Sequence, residues 1–345
     1  MIKLLDCTLR DGGYINDWNF GFDASKDIIK KLEESKTDII EIGFLKNEVY
    51  DCNRTVFNDV KQISKLIPNK KNELQYAAMI EVFNPISLEQ LDERTEEDVD
   101  IIRVIVWRTR HDENNNEIDA LKEGYEYCKG VVEKGYKLCV QPARVEQYSD
   151  EEFINMLRMF NDLNPYAIYI VDSWGTRQID DIIHYAQLAD KYLDKNISIG
   201  YHGHNNMLQA YGIATTFIHN NYSDRDLIVD ASVYGVGRCA GNLNIETFAK
   251  YLNDTEGKSY SLTPYFYIYE KYIKEIYKVH RWGYSIYYFL TAIYEAHPNY
   301  AWYLGEEKGI DPISFEKVLK SIPKLDRVLY NKDKANKYLN IVLKG

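Results

Sequence analysis

Three short polar segments hold residue types that can do chemistry together. His202 and His204 flank a glycine in Gly200-Tyr201-His202-Gly203-His204-Asn205-Asn206. On an extended strand, positions i and i+2 share a face, so both imidazoles can reach one metal ion. The chain has only 7 histidines, which makes that spacing informative and favours ligands over a solvated or core pair. Near the N-terminus, Asp6-Cys7-Thr8-Leu9-Arg10-Asp11-Gly12-Gly13-Tyr14 sets a carboxylate beside a guanidinium, before two glycines that permit a tight turn. A carboxylate there can hold a hard cation, and a guanidinium can steady a developing enolate oxygen. Taken alone, this segment reads first as a surface Asp-Gly turn. The third segment is Gly235-Val236-Gly237-Arg238-Cys239-Ala240-Gly241-Asn242. Its glycines, Gly237 and Gly241 among them, suit backbone contacts to an anion or a carboxylate. Asn242 reads equally as a further metal ligand or as the N-cap of a helix over Leu243–Tyr251.

One carboxylate and two imidazoles suit Mn²⁺, Mg²⁺, Co²⁺ or Zn²⁺, with positions left open for a bidentate substrate. A 2-oxo acid chelates such an ion through its carboxylate and ketone oxygens. Its α-carbon then becomes acidic enough to lose a proton or a carbon fragment. A Schiff-base aldolase would instead need a buried lysine at a strand end. Lys46 lies in a polar loop and Lys137 begins its strand at the wrong end.

These segments follow apolar, β-branched runs that read as strands near Ile2–Cys7, Ile39–Phe44, Leu74–Ile80, Ile101–Trp107, Lys137–Gln141, Ala167–Val171, Ser198–Tyr201 and Leu227–Val233. Helical patterns lie between them, over Ala24–Glu34, Asp119–Glu133, Ser149–Leu163 and Arg177–Leu193. Ser149 and Glu152 form a capping-box pattern, and Gly135 is a helix stop. Eight apolar strands separated by helices predict a TIM (β/α)8 barrel over residues 1–255, with chemistry at the C-terminal ends of the strands. No glycine-rich phosphate turn follows strand 1, which counts against a doubly wound open sheet. Residues 256–345 lose the alternation and become tyrosine-rich, and read as a helical extension for lid closure or dimerisation. Within it, His297-Pro298-Asn299-Tyr300-Ala301 suggests a lid contribution, although an interhelix turn is the preferred reading.

The 345 residues are 45% hydrophobic and 28% charged, which predicts a globular chain rather than a disordered one. A net charge of -11 without a basic block argues against nucleic-acid or anionic-membrane binding. No apolar run reaches the roughly 20 residues a membrane helix needs. Asp6 arrives too early for a signal peptide, and five cysteines without a CxxC pair read as reduced thiols, so a cytoplasmic location is expected.

The segments Asp6-Cys-Thr-Leu-Arg-Asp-Gly, Ile40-Glu-Ile-Gly-Phe44, His202-Gly-His-Asn-Asn206 and Val229–Asn242 together resemble the HMG-CoA-lyase-like metal-dependent barrels, across roughly residues 1–250. His-x-His-Asn-Asn and Arg-Asp-Gly-Gly-Tyr look like its 4-hydroxy-2-oxovalerate aldolase branch. The resemblance implies a divalent metal held by Asp11, His202 and His204, with Asn242 at a further ligand position. It implies that Arg10 stabilises the enolate, that Glu41 lies near a metal-bound water, and that Asp172 and Ser173 touch substrate. The aldolase branch carries an acid/base histidine where Tyr14 stands. Tyr14, or a bound water aided by Glu41, takes that role, on the expectation that metal and Arg10 lower the Tyr14 pKa, with His111 as another candidate. Cys239 falls outside the lyase branch's cysteine pattern. The implied reaction joins or splits a 2-oxo acid, pyruvate-like, and an aldehyde. A Claisen-type acyl-CoA/2-oxo acid synthase of the isopropylmalate synthase type is the alternative, and a catalytically silent scaffold the third reading. A homo-oligomer is the expected assembly, and a dehydrogenase that takes up the product fits the resemblance.

Overall fold

The computed structural model describes the chain except for residues 68, 69, 72, 112–116, 221, 223 and 345, and the side chains of residues 111, 325 and 344. The side chain of His111 therefore lies outside the described residues. Eight parallel strands are arranged as a closed ring: β1 (Ile2–Asp6), β2 (Ile39–Leu45), β3 (Gln75–Glu81), β4 (Ile101–Val106), β5 (Lys137–Pro142), β6 (Ala167–Asp172), β7 (Ser198–Gly203) and β8 (Leu227–Ala231). Closure comes from β1, which pairs with β8 on one side and with β2 on the other. The chain is a TIM barrel, as its alternation of elements predicts. Around the ring run α1 (Phe22–Glu34), α2 (Val60–Ser64), α3 (Leu121–Glu133), α4 (Asp150–Asn161), α5 (Ile179–Tyr192), α6 (Ala210–His219) and α7 (Ile245–Thr255). Ser149 caps α4 through the full capping box. One unit departs from the pattern: residues 82–100, between β3 and β4, form turns without a helix. Buried Ile86, Leu91 and Val99 cover that side of the ring instead.

The strands are apolar on both faces because both are covered. Ile40, Ile102, Val140, Ile168, Ile199 and Val229 face the helices. Positions of the other parity, among them Leu5, Ile39, Ala77, Ile101, Cys139, Tyr169 and Ile228, fill the barrel's interior. One step of period two nearer the C-terminal ends, the interior turns polar. Glu41 follows Ile39, Arg103 follows Ile101, Gln141 follows Cys139, His202 follows Gly200 and Asp230 follows Ile228, and all five are buried.

Beyond α7 the chain is helical. A run over residues 263–279 carries a π-type turn at Tyr269–Ile273, and further helices include Ile286–Ile293, Pro312–Ser321 and Lys332–Lys344. The tyrosines at its start work as packing groups with polar tips. Tyr265 hydrogen-bonds Thr37 at 2.8 Å, and the Tyr260 hydroxyl donates to Asp38. Tyr260, Tyr265, Ile268, Ile273 and Trp282 belong to the barrel's own apolar core. Tyr300, Tyr303, Leu304, Phe315 and Leu319 form a second, separate cluster. Among the described residues, no helix is long and apolar enough to cross a membrane.

Candidate active site

The turn after β1 is built by its own first residue. The Asp6 carboxylate accepts from the Thr8 amide at 3.0 Å and its hydroxyl at 2.7 Å, and the Asp11 amide donates back to the Cys7 carbonyl at 2.8 Å. Arg10 and Asp11 thereby reach the mouth of the barrel, both buried. Gly13 serves close approach: a Cβ there would lie 2.0 Å from the Trp18 ring. The Trp18 indole N–H donates to the Arg10 carbonyl at 2.7 Å and pins the turn.

Asp11, His202 and His204 meet. Their donor atoms lie within 4.8 Å of one another, and all three residues are buried. Among the described residues, no other such trio gathers as closely. His202 lies on β7 and His204 just beyond it, where its backbone bridges to Asn242. Burial pushes the His204 imidazole down to about 4, so it is neutral, as a ligand must be. Burial alone would raise Asp11, but the Arg10 guanidinium and both imidazoles hold it well below the usual carboxylate range. Asn242 donates its amide to Asp11 Oδ2 at 2.7 Å and to the Val236 carbonyl at 3.0 Å. The residue that precedes α7 as its N-cap is Asn244, which settles the capping half of the Asn242 alternative against it. Gly237 allows this crowding, since a Cβ there would meet Asn242 Nδ2 at 2.2 Å and Asp11 Oδ2 at 2.6 Å.

The donor set fits a divalent cation. His204 Nδ1 and Asn242 Oδ1 are buried beside the Asp11 carboxylate with no hydrogen-bond partner among the described residues. His202 Nδ1 is held by Asp230 Oδ2 at 3.0 Å, which leaves Nε2 as the nitrogen that could ligate an ion. Behind the trio runs a chain of alternating buried charges. Arg10 Nε donates to Glu41 Oε2 at 2.8 Å, Arg103 Nη1 lies 2.8 Å from the same oxygen, and Arg103 Nη2 donates to Asp230. Arg10 Nη1 donates to Asp11 at 2.5 Å. Each ion in that chain is compensated on two sides, which is what lets charges occupy a barrel interior.

Above the trio opens a cavity of about 760 Å³. Arg10, Asp11, Tyr14, Ser173, His202 and His204 are in its wall, whereas Glu41, Asp172, Gly237, Gly241 and Asn242 are not. Glu41 lies wholly inside the barrel between Arg10 and Arg103. The Asp172 carboxylate accepts the Thr176 and Arg177 amides at 3.0 Å each, and burial pushes it up to about 6. Ser173 Oγ accepts the Arg144 amide at 3.0 Å. The Gly241 amide is used within its own loop, on the Arg238 carbonyl at 2.9 Å. Tyr14 is half-buried against Trp18 and Phe44, with ring centroids 4.8 and 6.0 Å away. Burial raises its phenol above the ordinary value, and Arg238 and Arg10 offset only part of that rise.

The chain reading passed over several residues that the fold brings here. Arg103 and Asp230 were visible as charges inside apolar strand patterns, Ile101–Val106 and Leu227–Ala231. Arg144, Trp174 and Arg238 carried no such signal. The roof is the largest correction: His297, Asn299, Leu329 and Tyr330 of the extension line the cavity, so the His297 segment is more than an interhelix turn. Its ring sits between Trp174 and Tyr330, with centroids 5.9 Å from each.

Comparison with known proteins bears on the family and the fold. The HMGL-like family model matches residues 1–263. A 4-hydroxy-2-oxovalerate aldolase from Geobacillus genomosp. 3 is 22% identical over 255 residues, 73% of this chain and 70% of that protein. An oxaloacetate decarboxylase from Mycobacterium tuberculosis is 22% identical over 258 residues, 70% of this chain and 67% of that protein. The N-terminal domain of a putative aldolase from Bacteroides vulgatus superposes with a TM-score of 0.70 at 21% identity, covering 97% of this chain and 99% of that one.

Proposed function

The chain belongs to the HMGL-like family, and on that premise we propose that it is a divalent-metal-dependent aldolase that makes or breaks a C–C bond between the enolate of a 2-oxo acid and an aldehyde. The observation that carries this reading is the buried Asp11, His202 and His204 trio at the floor of the cavity, with Arg10 in the wall beside it. The substrates named for the two curated relatives, 4-hydroxy-2-oxovalerate and oxaloacetate, are both 2-oxo acids. Asp11, His202 and His204 would hold the ion, with Asn242 adjoining them. Mn²⁺ and Mg²⁺ are the first candidates for a set with one carboxylate, and Co²⁺ and Zn²⁺ also fit. Once bound, the ion supplies Lewis acidity that polarises the ketone of the 2-oxo acid.

The rest is the work of this chain's side chains. Glu41 and Asp11 fix two edges of the Arg10 guanidinium. Its Nη2 has no hydrogen-bond partner among the described residues and serves the enolate oxygen as charge develops there. Tyr14 presents a phenol from the cavity wall as the group that moves the proton. Asp230 fixes the tautomer of His202, and Glu41 and Arg103 hold the charges on either side. The roof supplied by the extension limits water around the reacting atoms. Ser173 adjoins the substrate from the wall, and Asp172, Gly237 and Gly241 support that wall from behind.

The test is exchange of pyruvate α-protons in D₂O, followed by NMR with Mn²⁺ and then with EDTA. Exchange that needs the metal is expected. Absence of exchange from both pyruvate and 2-oxobutyrate, in protein shown to hold Mn²⁺, would overturn the proposal.

A further inference from the structure

The outer half of the cavity is built for charge. Its lining holds four guanidinium groups, Arg10, Arg110, Arg144 and Arg238, against two carboxylates, Asp11 and Glu81, in a chain whose net charge is -11. Three of the four cations have carboxylate partners. Arg10 is held by Glu41 and Asp11, Arg110 by Glu123 at 3.3 Å, and Arg144 by Glu146 at 2.9 Å. Arg144 also lies flat on the Trp174 indole, 3.7 Å from its centroid, and so is fixed as wall. Arg238 differs. It is half-buried in the cavity, and among the described residues no carboxylate lies within ion-pair distance of its guanidinium.

What Arg238 does touch carries no negative charge. Its Nη2 lies 3.1 Å from His297 Nε2, while the Asn299 amide donates to His297 Nδ1 at 3.2 Å. A guanidinium and an amide N–H are both donors, and a neutral imidazole has one acceptor nitrogen. Burial and the guanidiniums of Arg238 and Arg144 push His297 down to about 3, so the ring is neutral. The ring can accept from only one of Arg238 and the Asn299 amide, so one of the donors facing it lacks an acceptor. An anionic oxygen beside the Arg238 guanidinium supplies the acceptor that is short there.

We infer that the aldehyde taken by this site carries an anionic group, a carboxylate or a phosphate, bound by the Arg238 guanidinium beside His297 beneath the C-terminal extension. This rests on the aldolase reading above for the identity of the ligand as an aldehyde. The geometry also sets its length. The Arg238 backbone amide faces Asp11 Oδ2 at 3.4 Å while its guanidinium lies over the Tyr14 ring, 5.5 Å from the centroid. The anion therefore sits about one arginine side chain away from the metal donors. That suits an aldehyde whose charged group is a few atoms from its carbonyl.

The experiment uses the full chain loaded with Mn²⁺ and three aldehydes of similar size: succinic semialdehyde, glycolaldehyde phosphate and butanal. Calorimetry measures binding of each without pyruvate, and NMR follows condensation with pyruvate. At least one of the two anions is expected to bind roughly 10–100-fold more tightly than butanal, the range of a charged hydrogen bond. Whichever anion does so identifies carboxylate or phosphate as the group recognised. R238M is expected to remove that preference, and R238K, which keeps the charge without the fork, to retain part of it. Equal binding of butanal and both anions, or an unchanged preference in folded R238M or R238K, would overturn the inference. The wild-type pyruvate exchange test separates the two readings. If exchange fails, the aldolase proposal falls, while the binding arm still decides whether Arg238 and His297 form an anion site.

Discussion

Asp230→Asn probes the support behind the metal trio rather than the trio itself. Asp230 Oδ2 accepts from His202 Nδ1 at 3.0 Å and from Arg103 Nη2, and the residue is buried on β8. An asparagine fills the same volume but carries no charge. Its amide can still accept from one of the two donors, and the other is left weakly paired. Arg103 keeps Glu41 as its remaining carboxylate. The loss is therefore that of one hydrogen bond to a charged group, about 1.5–3 kcal/mol of stability. At about 2–4 °C per kcal/mol, the metal-free melting temperature should fall by roughly 3–12 °C. Metal affinity should fall 10–100-fold, as expected when the partner that orients a ligating histidine is lost. Calorimetric titration with Mn²⁺ and thermal melts in EDTA measure the two effects separately. Asp98→Asn is the control. Asp98 is also a buried carboxylate, but it serves Thr95 and Ser64 far from the barrel interior. It should lower the melting temperature without weakening Mn²⁺ binding. If Asp230→Asn binds Mn²⁺ as tightly as the wild type, or Asp98→Asn loses as much, the reasoning fails.

His202→Ala should remove Mn²⁺ binding and pyruvate proton exchange while circular dichroism and the melt report an intact barrel. Gly237→Ala should push Asn242 and Asp11 apart, costing about 1–3 kcal/mol in the melt and at least tenfold in Mn²⁺ affinity by the same titration. The His297 imidazole, lowered from 6.5 to about 3 by burial and its arginine neighbours, binds its proton more weakly folded than unfolded. Its contribution to stability is complete above pH 6.5 and shrinks as pH falls toward 3. At pH 5.5 the wild type should have lost about 1.4 kcal/mol relative to His297→Gln in metal-free urea unfolding. A stability difference that is flat between pH 7 and 5 would contradict this.

The parallel barrel was legible along the chain because strands covered on both faces must be apolar throughout, and Ile39–Leu45 and Ala167–Asp172 show this without tertiary information. The imidazole pair was legible too, since the period of a strand alone turns His202 and His204 to one side. The resemblance then joined them to Asp11. What composition and spacing left open was which distant charges pair. Arg103 and Asp230 are 127 positions apart, and each looked like an interruption in its own strand. Only closure of the ring makes them neighbours, because barrel register decides which interior positions share a layer. The roof was equally hidden. Nothing local to His297 or Tyr330 says that it faces the ends of β6 and β8, since a helical extension pattern defines its own apolar face and not the cavity it covers. Local periodicity determined the elements of this protein and the pairing of its two candidate metal-binding imidazoles. Tertiary closure determined the charge chain behind those donors and the arginine that waits in front of them, because both depend on distances that sequence separation does not encode.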